Sequence, residues 1–457
     1  MFSNELDRVR FPLVSRTRGI FLGSIILVAA TAGLVSARTL SFTLATALVA
    51  FVVSAWWRGH LDRAVPRFGP VSRHAAVFLA YALASTMWAF SAGTSFPSVA
   101  VACAVGLGAV VLIQLLADET RPNLLHMGEG LWIGFLVGLG YLLFEVVSGQ
   151  AIKIAIYNAL GLGPGDLPHP EYYGWEGKTL IFVAREDLTR NMAPAVFLLW
   201  PAILAMVGTL ARPWGAVVGA ITLPLTAALI FMCNHETSKL AIVVGLAAFI
   251  CAVLSARWTG RLVAVVWVLA CLAVLPVALA LHRLDVHEAS WLQKSARHRI
   301  VIWNTTAEHV LQSPWFGTGA RTTYEVGPLM EQNGTMDMSG EFPRSLSVHS
   351  HSVYLQTWLE LGLVGASLLT LLGLAILQAI RALPPTVQFF AYATFASAAA
   401  MAASSYGMWQ TWFVSVFGFS IIAFGLGTAL NARRECVVAA PSRDRQSVGV
   451  PQSAISD

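Results

Sequence analysis

The chain has 457 residues, of which 56% are hydrophobic and 12% charged, and its formal net charge is +5. Soluble domains carry about 25% charged residues, so this composition excludes an ordinary soluble protein and predicts an all-α polytopic membrane protein. The surplus arginines are scattered through short loops, where they report topology and lend no support to a nucleic-acid partner.

A bilayer crossing needs about 20 mostly apolar residues. Such stretches run near 19–36, 39–57, 74–91, 96–117, 129–148, 191–211, 213–232, 239–256, 261–281, 353–380, 386–404 and 409–430, about twelve spans. Arg8, Arg10, Arg16 and Arg18 precede the first, and "LVSA" at 34–37 is faintly similar to a signal-peptidase site. Another apolar span follows at once and the first run is long enough to anchor, so it is read as retained. Arg58, Arg63, Arg67, Arg73, Arg121, Arg212, Arg257, Arg261, Arg381, Arg433, Arg434, Arg443 and Arg445 fall in one class of loops with the N-terminal arginines, whereas the opposite short loops hold only Arg38 and Lys239. Cationic segments resist translocation, so both termini are expected in the cytoplasm and the long loops 149–190 and 282–350 outside. The expected division is a cytoplasmic N-terminus (1–18), a membrane domain (19–434) containing both long loops, and a disordered cytoplasmic tail (435–457).

The five cysteines, Cys103, Cys233, Cys251, Cys271 and Cys436, form neither a disulfide framework nor a metal-ligand spacing, and no cofactor or metal is expected. In the first long loop Tyr172, Tyr173 and Trp175 precede Arg185 and Arg190. Aromatic faces suit sugar rings and guanidinium forks suit phosphates. An interfacial aromatic belt with snorkelling arginines is the competing reading, favoured for the aromatics and even for Arg190. The turn "MCNHETSKLAI" sets Lys239 at a helix start, where the dipole disfavours a cation unless an anion binds there. Its bland alternative is a solvated turn with Lys239 reaching to headgroups.

The second long loop is too long for a mere connection. Ile300, Trp303, Ala307, Val310 and Leu311 recur at helical spacing, predicting an amphipathic helix that stops at Ser313-Pro314. Arg299 and Trp303, four apart, share a face on which the guanidinium can lie over the indole. A surface helix with a snorkelling arginine explains the same pattern. Residues 320–347 are expected to be mobile. His351 stands where the next helix should begin, and the dipole there keeps an imidazole neutral and able to accept a proton. In an extended segment His349 would point the same way as His351, but a zinc pair lacks a third ligand. Glu360, about 13 Å deeper at 1.5 Å per residue, is too distant for the same proton transfer and reads as a buried structural carboxylate. Glu145 is the other intramembrane carboxylate, of no readable role.

His351-Ser352, nine residues, Gly362, two residues and Gly365 resemble the signature of the bacterial O-antigen ligase and polysaccharide polymerase family. "RIVIW" (299–303) followed by "SPWFGTG" (313–319) is similar to that family's arginine, three residues, tryptophan, then Pro and Gly-x-Gly. The resemblance implies a metal-independent, inverting glycosyltransferase of the bacterial inner membrane, working at the periplasmic face with an undecaprenyl-diphosphate-linked glycan as donor. The acceptor is lipid A-core in a ligase, another lipid-linked glycan in a polymerase, or a protein hydroxyl in a related oligosaccharyltransferase. By the same carry-over His351 is the general base and Arg299 holds the diphosphate. Ser238-Lys239 stands where the family has Ser-Arg, and Arg190-Asn191 is similar to a further family position. Lys239, Arg190, His349 and Trp303 complete the expected binding residues. Gly362 and Gly365 are expected to let helices pack closely. A transporter or flippase for a lipid-linked glycan would instead predict ionisable residues near mid-membrane and related halves, whereas the sequence has few intramembrane charges, chiefly Glu145 and Glu360, and no evident two-half symmetry.

Overall fold

The computed structural model describes residues 3–332, 342, 344, 346–404 and 406–439. Five helices come first: α1 (Ser3–Val35), α2 (Thr39–Trp57), α3 (Pro70–Ser85), α4 (Ala92–Ala117) and α5 (Arg121–Ser148). The first long loop folds into α6 (Ala151–Ala159) and an antiparallel hairpin of β1 (Tyr173–Glu176) and β2 (Thr179–Val183). Then follow α7 (Thr189–Thr209), α8 (Trp214–Met232), α9 (Glu236–Leu272) and α10 (Val274–Arg283). The second long loop contains α11 (Lys294–Val310) and α12 (Thr322–Gln332), and the chain ends in α13 (Val353–Arg381), α14 (Pro385–Ser404) and α15 (Thr411–Ala439). Helices dominate because lipid supplies no hydrogen bonds, so a spanning segment must pair its backbone internally.

Ten helices among the described residues are long and apolar enough to cross a membrane, against about twelve expected. Two physical features account for the difference. The stretch expected at 74–91 is helical only as α3, 16 residues ending at Ser85. The stretches expected at 239–256 and 261–281 are joined in α9, bent at Ser255 (φ −160°, ψ 97°), with α10 continuing beyond. Residues 440–457 lie outside the described residues, as does most of the expected mobile stretch beyond α12.

The core is centred on α7, whose side chains from Asn191 to Met206 are all buried although Pro194 and Pro201 interrupt its ladder. α1 and α5 approach so closely that a Cβ on Gly130 would lie 2.1 Å from the carbonyl oxygen of Gly23. Small residues permit such backbone contact between helices where no water drives them together. Large apolar side chains such as Phe42 (77% exposed) and Leu254 (80% exposed) project outward, as a lipid-facing surface requires.

The two ends of the bundle differ. At one end Arg18 donates to both carboxylate oxygens of the buried Glu119, at 2.8 Å to Oε2, while Arg58 at 3.3 Å and Asn123 at 3.0 Å also donate to it. Arg433 there caps the carbonyl of Ala117 at 3.0 Å. Both long loops leave from the other end, together with the turns at 233–235 and 406–410. Asn234 Nδ2 donates to Glu186 Oε1 at 2.8 Å, tying the base of the first loop to one of these turns.

α13 is broken inside its signature. Gly362 has φ 63° and ψ −162°, and the segment 313–319 of the second loop threads into the gap. Leu363 N–H donates to the Pro314 carbonyl at 2.8 Å, and Thr318 and Gly319 N–H donate to the carbonyls of Leu359 and Glu360, each at 2.9 Å. Backbone groups freed by the break are thus paired by the loop, as burial demands. A Cβ on Gly362 would stand 2.4 Å from the Trp315 oxygen, and Gly317 (φ 71°) meets the backbone of Glu360 equally closely. The expectation of close helix packing at Gly362 and Gly365 is therefore corrected. Gly362 admits a loop, and Gly365 makes room for Leu361, whose Cβ would be 2.2 Å from its own.

Candidate active site

α11 is the amphipathic helix that the apolar spacing predicts: Ile300, Ala307 and Val310 are buried, while Leu311 just past its end is exposed. Its first turns carry Arg299 and Trp303 toward the entry of α13. Trp303 does not take the guanidinium. Its Nε1–H donates to the carbonyl of Ser350 at 3.0 Å, so the indole braces the residue between the two histidines. The expected cation–π pair is absent among the described residues because that backbone carbonyl, in a buried stretch, claims the indole N–H.

Ser352, not His351, caps α13, its hydroxyl accepting from Leu355 N–H at 3.4 Å. His351 lies one residue before the cap with φ 54°, a left-handed conformation uncommon for a side-chain-bearing residue. The two imidazoles consequently do not run parallel. Their centroids are 4.1 Å apart with the rings edge to face, and His351 N–H donates to His349 Nδ1 at 3.2 Å. His349 is 8% exposed and His351 half-buried, so the second ring is the more accessible.

Arg299 is half-buried and, among the described residues, its side chain makes no hydrogen bond or ion pair. Burial works against its charge, and the attractions of Tyr406 and Glu236 offset that only partly. Burial and the neighbouring Arg299 charge push His349 down to about 4. His235 is pushed down to about 4 by burial, then by Arg299, partly opposed by Glu236. Both rings are neutral near pH 7. The charge of Arg299 on α11 thus acts on His235 and Glu236 at the entry of α9, on His349 before α13 and on Tyr406 before α15, and His351 joins them through its contact with His349.

Lys239 is in this group but its ammonium is committed: Nζ contacts Glu236 Oε1 at 2.7 Å, one helical turn away. Arg190 belongs elsewhere. It starts α7 beside Tyr172 and Tyr173, whose hydroxyls feel its charge, and no contact joins it to the Arg299 group among the described residues. Tyr173 donates to Asp187 at 2.8 Å and Asp187 pairs with Lys153, so this aromatic cluster is partly spent on holding the first loop together.

Glu360 is fully buried and saturated. It accepts from Arg321 N–H (2.8 Å), Gln356 Nε2 (3.0 Å), Trp409 Nε1 (2.5 Å) and the Thr323 hydroxyl. It thereby ties α13 to the second loop and to the 406–410 turn, as a structural carboxylate. Glu145, also fully buried, accepts from Ile152 N–H at 3.1 Å. Sequence reasoning passed over His235 and Tyr406 as site residues. Nothing in "SSYGMWQ" marks Tyr406, and only its position after α14 brings it here.

Residues 221–370 match the family model described as O-antigen ligase. Proteins of Rickettsia conorii and Rickettsia prowazekii, both named "putative polysaccharide ligase", are 31% and 33% identical over 124 and 125 residues. Those matches cover 27% of this chain and 30% of each relative. The matched region contains Lys239, Arg299, Trp303, His349, His351, Gly362 and Gly365, and over that region the chain is similar to the O-antigen ligase family.

Proposed function

We propose that the chain is an inner-membrane glycosyltransferase. It moves a glycan from an undecaprenyl-diphosphate carrier to an acceptor hydroxyl at the periplasmic face, as an O-antigen ligase acting on lipid A-core. The observation that carries this reading is the half-buried Arg299 guanidinium, which makes no ion pair among the described residues and whose charge acts on His349 at the entry of α13. A dehydrated cation of this kind suits a phosphate, to which its planar fork donates two parallel hydrogen bonds.

The steps follow from charge. The acceptor oxygen attacks the anomeric carbon from the face opposite the diphosphate. The bond to the carrier breaks, its electron pair leaves with undecaprenyl diphosphate, and His351 takes the hydroxyl proton. Negative charge grows on the leaving diphosphate, where Arg299 stabilises it most because water is largely excluded. An apolar groove of ≈ 190 Å³ lined by Leu269, Ala273, Val274 and Val277 reaches Trp303 and Ser352, one residue from His351, and suits the first part of an isoprenoid tail. Preference for a ligase over a polymerase rests on the family description and the relatives' names.

The test is transfer by purified protein in detergent, with undecaprenyl-diphosphate glycan and lipid A-core, in the presence of a chelator. Release of undecaprenyl diphosphate with glycan transfer is expected, and His351→Ala should lower it by about 100- to 10,000-fold with expression intact. Transfer only with an added divalent ion, or a His349→Ala loss exceeding that of His351→Ala, would sink the assignment.

A further inference from the structure

Tyr406 lies outside the family-matched region, in the turn between α14 and α15. Its hydroxyl is 3.3 Å from His235 Nε2, and the two rings lie nearly parallel, centroids 5.5 Å apart. The other nitrogen of that imidazole, Nδ1, is 2.6 Å from the hydroxyl of the fully buried Ser238. Trp412 stands edge-on to the Tyr406 ring at 4.5 Å, and a Cβ on the next residue, Gly407, would lie 3.0 Å from His349 Cβ. The phenol is therefore held on His235, the residue after it packs against His349, and Tyr406 lies close enough to Arg299 for their charges to interact.

We infer that Tyr406 is a further substrate-binding residue, whose hydroxyl, oriented by His235 and Ser238, donates a hydrogen bond to the diphosphate held by Arg299. The inference rests on the reading of Arg299 as the diphosphate site. A neutral imidazole carries one N–H, so the three side chains have two concerted arrangements. In one, the Tyr406 hydroxyl donates to Nε2 and Nδ1–H donates to Ser238. In the other, Ser238 donates to Nδ1 and Nε2–H donates to the phenol oxygen, which turns the phenol proton outward. Both arrangements keep both hydrogen bonds, so a bound oxyanion selects the second at little cost. The result is an uncharged donor facing the leaving group, complementary to the arginine and preset by a buried pair.

Calorimetry of undecaprenyl diphosphate binding to the purified full chain in detergent tests this. Tyr406→Phe keeps the ring packing, and it should weaken binding about 10- to 100-fold, the range for a hydrogen bond to a charged group. Its melting temperature should stay near wild type. Ser238→Ala should weaken binding less, and the double variant no more than Tyr406→Phe, since the serine acts through the phenol. Unchanged affinity in Tyr406→Phe, alongside weakened binding in Arg299→Ala, would overturn the inference and leave the Arg299 reading standing. No binding by the wild type would overturn both. Additive losses in the double variant would overturn the relay.

Discussion

Arg18 and Arg299 are both partly buried arginines at opposite ends of the same bundle, and the protein treats them oppositely. Arg18 meets Glu119 with two donors, with Arg58 and Asn123 completing the carboxylate's partners. Burial alone would raise the pKa of that carboxyl, but hydrogen bonds from Arg18 and Asn123 hold it below its ordinary value. Arg299 has no such partner among the described residues, and Glu236, whose charge it feels, is taken by Lys239. A buried cation closed by a protein carboxylate locks structure. One left open keeps its strongest interaction for a ligand, at some expense of stability.

Exchanging arginine chemistry at the open end and carboxylate chemistry at the closed end should separate activity from stability. Arg299→Ala should lower turnover by about 100- to 1000-fold, as loss of a transition-state donor does, with the melting temperature unchanged or raised. Arg299→Lys should remain impaired because a point charge lacks the fork. Glu119→Ala should do the reverse, destabilising by about 3–5 kcal/mol by stranding Arg18, while the folded fraction turns over normally. Thermal melts and initial rates on the same preparations decide it. A strongly destabilised but active Arg299→Ala would mean that the contrast between the two ends has been misread.

The sequence disclosed this contrast unevenly. Apolar runs and arginine placement made the helices legible, since they express solvent exclusion at every position; only the bend at Ser255 and the shortness of α3 altered the count. Motif spacing singled out Arg299 and His351 as candidates, and His349 followed from standing two residues before His351. Which partners they have was not. That Lys239 is neutralised, that Trp303 holds Ser350, and that Tyr406 reaches His235 all depend on contacts between segments tens to hundreds of residues apart. Local patterning records which face a side chain occupies, and such pairings arise only when helices pack. Gly362 shows the same limit: its spacing was visible, but the loop inside the broken helix was not.

The open end should also depend on that break. Gly362→Ala places a Cβ 2.4 Å from the Trp315 oxygen at φ 63°, so both strain and collision oppose it. A loss of about 2–4 kcal/mol is expected, with the 313–319 segment expelled from α13 and the site disordered. Hydrogen exchange should then rise at Thr318 and Gly319 while the Arg18–Glu119 end keeps its protection. Uniform loosening of both ends would mean that the break serves the whole bundle.

Acid should open the two ends in different windows. His235 and His349 have folded values of about 4 against 6.5 ordinarily, so their neutral forms stabilise the fold fully above pH 6.5. That contribution declines as pH falls from 6.5 toward 4, because the unfolded chain takes up protons that the folded one refuses. Glu119, depressed below 4.5, contributes above that value and is lost only as pH falls further. Melting temperature should therefore fall between pH 6.5 and 4, and the slope should flatten in a His235→Asn, His349→Asn double variant. An unchanged slope would show that neither ring is held neutral.

The smallest effect is expected at Lys239, which sits among the open-end residues but resembles Arg18 in being paired. Lys239→Gln removes a partly exposed ion pair with Glu236, whose side chain is 41% exposed. Such pairs contribute about 0–1 kcal/mol, so stability should hardly move. The released Glu236 then faces Arg299 more fully and competes with an incoming diphosphate, so KM should rise a few-fold with kcat nearly constant. Glu236→Gln should shift KM the other way, since it frees Lys239 to join Arg299 as a second cation. Steady-state kinetics of both variants, at low and moderate salt, read this directly, because an exposed cation's contribution fades with ionic strength. Should Lys239→Gln lose as much kcat as Arg299→Ala, pairing within the protein would not be what separates a structural cation from a functional one, and the basic position at 239 would act on substrate despite Glu236.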